Sequence, residues 1–315
     1  MSRSIAIDIF RIVAAFFVIC IHAPFITWGT NPIYKCAVPF FCLVTGYYLN
    51  DKREDDKLFF NKIFVYFRIL LLAVIVYLIL ALFEGVDVEI PSLKILALYN
   101  SFGFINAPHL WYLLALIISL SIIHLLKKCG VVWMIYMFLP FIIISPLGKY
   151  NLFPFSRLIE NYDANWLLTT LPYIACGFTI RTLDGGKEKP KYLYLAIALF
   201  FLILTLFESK YWGGMLSDKS AFYVGTPFYS IGLFLFLLSV RIPSTPPLLI
   251  AFADFCKKAS LPIYVWLFLI INMLKVCTLY ELLQPFVALY VFIFLVFIFV
   301  SVSLVRRLCR GMIYQ

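Results

Sequence analysis

Long apolar runs, broken by short charged or Pro/Gly-rich segments, dominate the chain, and no stretch alternates polar and apolar positions as a half-buried strand does. Cutting at those breaks, and asking for roughly 17 to 25 apolar residues per membrane helix, predicts ten helical spans. They fall near residues 5–25, 35–50, 63–84, 109–126, 131–147, 167–181, 192–208, 222–240, 260–276 and 284–305. The second, fifth and sixth are short or hold a proline (Pro39, Pro140, Pro172), which makes a broken or re-entrant element lining a cavity an open reading for one of them. The expected fold class is all-α, a polytopic membrane helical bundle of about ten transmembrane helices.

Composition agrees with lipid as the solvent. With 64% hydrophobic and 13% charged residues in 315, and a mean hydropathy of +0.99, there is too little polar surface to clothe a water-soluble globule. No small-x-small cleavage site follows the first run, so residues 5–25 read as a retained span. The outer connections, about 85–108 and 148–166, are too short to fold alone, and no internal repeat is visible, so residues 1–315 are expected to form a single transmembrane domain.

Charge sets orientation. Seventeen of the 26 Lys and Arg residues fall on the inner side if the N-terminus is cytoplasmic, against Lys35, Lys94, Lys149, Arg157, Lys210, Lys219 and Lys275 outside. Both termini are therefore expected in the cytoplasm. The net charge of +10 is then mainly a topology signal, with membrane lipid head groups as secondary partners. No basic run interleaved with aromatics on a soluble module suggests nucleic-acid binding. The eight cysteines lie mostly within spans without a Cys-x-x-Cys pair, which argues against a disulfide framework or a metal site. Walker, Gly-x-Gly-x-x-Gly, His-Glu-x-x-His and Gly-x-Ser-x-Gly signatures are also missing.

Arg11 and His22 interrupt the first apolar run, Asp8-Ile-Phe-Arg-Ile-Val-Ala-Ala-Phe-Phe-Val-Ile-Cys-Ile-His22. Eleven residues of α-helix make about three turns and roughly 16 Å of rise, so Arg11 and His22 project from nearly one face. An intramembrane cation costs at least about 2.5 kcal/mol, which predicts that this face lines a polar cavity. Plainer readings stay open: an interfacial histidine bonded to a neighbouring helix for His22, and an ion pair with Asp8, three residues earlier, for Arg11.

Four segments in order resemble the membrane acyltransferase-3 family, the O-acyltransferases of bacterial surface polysaccharides. They are Arg11-x10-His22 preceded by Asp8; Val38-Pro-Phe-Phe-Cys-Leu-Val-Thr-Gly-Tyr47, with Thr45 in place of the family's serine; Asn61-Lys-Ile-Phe-Val-Tyr-Phe-Arg-Ile69; and His109-Leu-Trp-Tyr-Leu113. A fifth, Ser260-Leu-Pro-Ile-Tyr264, is similar to Ser-x-x-Ile-Tyr-x-x-His, but Leu267 stands where the family has its final histidine. In length the chain is similar to members without an appended periplasmic hydrolase-like domain.

The resemblance implies a multi-pass enzyme of the cytoplasmic (inner) membrane. It would move an acyl group, most simply acetyl from acetyl-CoA as co-substrate, to a glycan or lipid-linked saccharide acceptor, with no permanently bound cofactor. In that frame His22 is the general base, because an imidazole takes a hydroxyl proton near neutral pH. Arg11 joins His22 in the catalytic pair, and Arg11, Lys62 and Arg68 are donor-binding cations suited to CoA phosphates. His109, Trp111 and Arg157 are acceptor-side residues. For Lys62 positive-inside anchoring competes with that role, and for Trp111 interface anchoring does. Arg157 sits with Glu160 and Asp163 in an outer loop whose mixture of groups suits sugar hydroxyls or plain solvation. His124, three residues before Lys127, reads as structural, and the Thr45-Gly46-Tyr47 segment as a turn where two backbones approach closely. The alternative from another class is an exporter or flippase subunit for a lipid-linked saccharide.

Overall fold

The computed structural model describes residues 4–26, 31–49, 56–89, 91–92, 96, 100–147, 165–184, 190–212, 223–240, 242 and 246–313. The described residues form helices and turns and no strand. Among the described residues, six helices are long and apolar enough to cross a membrane. The helices group into two compact units, residues 1–34 with 241–315, and residues 35–240.

The first unit holds α1 (Ile5–His22), α2 (Asn31–Tyr34), α10 (Pro247–Val276), α11 (Leu279–Leu282) and α12 (Val287–Ile313). α1 packs chiefly along α10, and α12 lies against both. Ring contacts set the spacing, Phe16 on Phe292 at 5.2 Å and Phe255 on Phe299 at 5.7 Å. α10 begins thirteen residues before the expected span at 260, because Asp254, Lys257 and Lys258 lower hydropathy without opposing helix formation. At 30 residues it is roughly 45 Å long, well beyond a hydrocarbon core of about 30 Å. Pro262 lies inside it, and beside that proline the Ser260 hydroxyl donates to the Lys257 carbonyl at 3.2 Å.

The second unit holds α3 (Ala37–Leu49), α4 (Asp56–Phe83), α5 (Trp111–Lys128), α6 (Phe141–Leu147), α7 (Leu171–Leu183), α8 (Lys191–Trp212) and α9 (Gly225–Ser239). Each expected span contains a helix, but four are too short to cross alone. α3 and α7 have 13 residues each, or about 20 Å, and are largely buried. A short helix is tolerated there because neighbouring helices, rather than lipid, surround its ends. The fifth span is the broken one: a 3-10 stretch, Val132–Phe138, passes through Pro140 into α6. Pro39 and Pro172 do not break theirs, since each sits in a first turn where a missing N–H costs nothing.

The α3–α7 crossing is the tightest in the second unit. A Cβ on Gly46 would strike the Ile174 carbonyl, and one on Gly177 the Leu43 carbonyl. Backbone contact of this kind is available only to glycine. The close approach expected at Gly46 is real, although the residue lies within a helix and not in a turn. α4 instead exposes Phe60, Phe64, Phe67, Leu71 and Leu72, an exterior whose natural solvent is lipid.

Candidate active site

α1 starts where Ser4 accepts the Ile7 N–H at 3.4 Å and Asp8 occupies the first turn, where the helix dipole favours an anion. It runs unbroken to His22, so Arg11 and His22 do share one flank, about 20° apart in projection. Ala15 and Val18, between them on that flank, are fully packed.

Asp8 is buried, and the Arg11 Nε lies 3.3 Å from its Oδ1, although the N–H is not aligned for a hydrogen bond. A buried carboxylate without a nearby cation would be strongly destabilising, so the pair explains why both are tolerated. Arg11 keeps a side chain 20% exposed. His22 is half-buried, and the edge of the Phe268 ring from α10 meets its imidazole with centroids 5.0 Å apart. Leu267, at the position of the final histidine in the family's Ser-x-x-Ile-Tyr-x-x-His segment, is fully buried next to that contact.

The other predicted cations are not gathered. Lys62 and Arg68 both lie exposed on α4, six residues and hence about 120° apart around the helix. The Arg68 guanidinium sits 5.7 Å from the Phe64 ring. His124 has the structural surroundings expected of it: it stacks on Phe59 at 3.9 Å, with Nε2 3.3 Å from Asp56, which also meets Lys128 at 3.6 Å.

At the opposite end of α5, the 3-10 turn Pro108–Leu110 buries His109, whose ring meets Tyr77 of α4 edge-on at 5.4 Å. Trp111 opens α5 half-buried, its ring 6.1 Å from Tyr112. A short polar lattice holds this region. Asn106, at a left-handed φ of 51°, donates from its amide to Glu84 at 3.4 Å. Asn100 accepts the Trp166 N–H at 3.2 Å. Arg157, Glu160 and Asp163 lie outside the described residues.

Three features were not foreseen from sequence. A π turn, Trp166–Thr170, precedes α7; Asn165 caps it by accepting the Leu168 N–H at 2.8 Å. Glu208, buried near the end of α8, accepts from the Val224 and Gly225 N–H groups at 3.0 and 2.8 Å and so caps α9. Tyr47 donates to Asp184 at 2.6 Å beneath the Arg181 guanidinium. The visible signals were an asparagine before an apolar run, whose partner is local, and an acid in an apolar helix, whose partners lie on another element.

A family profile described as an acyltransferase domain matches residues 4–306. The chain belongs to the membrane acyltransferase-3 family. That match spans both compact units and takes in the Arg11–His22 flank, the Gly46 crossing and the His109 turn. Among curated proteins, this family member is 28% identical over 271 aligned positions to a serine/alanine racemase of Enterococcus gallinarum, covering 75% of the chain and 37% of that relative. It is 30% identical over 145 positions to an amino-acid racemase of Enterococcus faecalis, covering 40% of the chain and 20% of the relative. The chain thus spans well under half the length of these curated relatives. No solved structure matches it significantly.

Proposed function

We propose that this acyltransferase-3 protein is an O-acetyltransferase of the cytoplasmic membrane. In this reading it moves acetyl from acetyl-CoA to a hydroxyl of a cell-surface polysaccharide or its lipid-linked precursor. The observation that carries the reading is the single flank of α1, on which a guanidinium and an imidazole stand at two depths of an apolar helix in a chain matched to an acyltransferase domain. Ionisable residues at such depths are expensive and are kept for function.

The chemistry balances simply. The acceptor oxygen attacks the thioester carbonyl, a C–O bond forms, the C–S bond breaks, and the hydroxyl proton passes to His22 and on to the departing CoA thiolate. Asp8 pairs with the Nε edge of Arg11, and the outer nitrogens of the fork are assigned to donor phosphates. Lys62 and Arg68, with exposed side chains, are assigned to approach of the same polyanion. His109, Trp111 and Arg157 are assigned to the acceptor.

Replacing His22 by Ala tests the base. Thiol release from acetyl-CoA in the presence of glycan should fall by at least about a hundredfold, the lower end for a general base, with insertion and yield unchanged. Full activity in that variant would refute the assignment. A second reading is an exporter or flippase subunit for a lipid-linked saccharide, in which Arg11, kept within an apolar helix, would bind its pyrophosphate. Solute movement in vesicles without release of CoA thiol would select it.

A further inference from the structure

Contacts between the helices of the first unit fix their relative heights. His22 meets Phe268, and Asp8 lies within electrostatic reach of Cys256, so α1 and α10 run parallel with Arg11 level with positions 257–259. α12 gives the same height independently: Phe16 on Phe292 and Phe255 on Phe299 place Arg11 and Lys257 both level with Phe297. From Phe297 the next charged residue along α12 is Arg306, nine positions and about 14 Å further on. Arg11 and Lys257 therefore share a height well inside the apolar part of this unit.

They also share a side. Phe16 marks the side of α1 that meets α12, and Arg11 lies about 140° round the helix from it. Phe255 marks the α12 side of α10, and Lys257 lies about 160° round from it. Both cations thus stand on the side of the α1–α10 pair turned away from α12. Lys258, about 60° from Phe255, turns back toward α12. Both side chains reach open space, Arg11 with 20% of its surface and Lys257 as an exposed residue. Each follows an acidic residue by three positions, Asp8 and Asp254, a spacing that lets a carboxylate support a cation within an apolar helix.

The ordinary place for a lysine on such a helix is the head-group layer, but Lys257 is level with Arg11 and not with Arg306. Two cations at one depth and on one side are costly unless that side meets a polar occupant. A fork and a point charge together suit a molecule with several phosphate oxygens.

We propose that Lys257 is a donor-binding residue, which with Arg11 holds the phosphates of the acyl-CoA on the side of the α1–α10 pair away from α12. This rests on the acyl-transfer reading above and adds to its donor site a cation that neither Lys62 nor Arg68 supplies.

The experiment compares thiol release by the full chain in nanodiscs from acetyl-CoA and from S-acetylpantetheine, a thioester of the same arm without phosphates, with de-O-acetylated surface glycan as acceptor. Lys257→Gln should raise the acetyl-CoA KM roughly ten- to a hundredfold, the size of one charged hydrogen bond, and leave the S-acetylpantetheine KM as in wild type. Lys257→Arg should keep most of the affinity, and Lys258→Gln should match wild type with both donors. An unchanged acetyl-CoA KM in Lys257→Gln would overturn the assignment. So would an equal rise for both donors, the mark of a structural role, or the same rise in Lys258→Gln, the mark of diffuse surface charge. Binding of free CoA to the same nanodiscs separates this inference from the reading beneath it. If wild type binds CoA about tenfold or more tightly than Lys257→Gln yet releases no thiol, acyl transfer fails and the phosphate site stands. If wild type binds no CoA, the site itself is refuted.

Discussion

At the scale of single residues, this protein keeps its buried charges by giving each a close partner, and the partner's distance along the chain decided what was legible. Asp8 and Arg11 are three residues apart on one helix, so their pairing follows from the sequence once the helix is granted. Glu208 is different: its partners are backbone N–H groups sixteen and seventeen residues away, beyond a helix end. Nothing in the local pattern distinguishes such a carboxylate from a functional one. Its role is structural, since it satisfies two donors that the start of α9 leaves open. Glu208→Ala is therefore expected to lower stability by roughly 2–4 kcal/mol, read as a drop in apparent Tm in detergent, because two buried N–H groups lose a charged acceptor. Glu208→Gln, which keeps one carbonyl oxygen, should lose less.

At the scale of elements, the second unit depends on how closely α3 and α7 cross. Gly46 and Gly177 each face the other helix's backbone, and a methyl group on either has nowhere to go. Alanine at Gly46 or Gly177 should cost at least about 1–3 kcal/mol, seen as reduced monodisperse yield in size-exclusion chromatography. Alanine at Gly103, where an added Cβ meets nothing closer than the Ser101 side chain at 3.6 Å, should behave as wild type. Helix existence was readable from apolar runs in all ten cases. Helix length was not, because lengths of 13 residues for α3 and α7 are acceptable only where protein replaces lipid around them.

At the scale of the whole molecule, the distribution of Lys and Arg makes a prediction that does not depend on the chemistry. With both termini cytoplasmic, an alkaline phosphatase fused after Gln315 should be inactive and one fused after Ala107 active, the reverse pattern refuting the orientation. The sequence by itself determined the lipid-solvated all-α character, the family, and the shared flank of Arg11 and His22. Those properties depend on composition or on spacings of a few residues within one helix, which the α-helical repeat makes calculable. Only the tertiary structure decided that Gly46 meets Ile174, that Glu208 caps α9, and that Lys257 stands level with Arg11 on a neighbouring helix. Each of these joins groups distant along the chain, where helical periodicity carries no information and packing alone selects the neighbour.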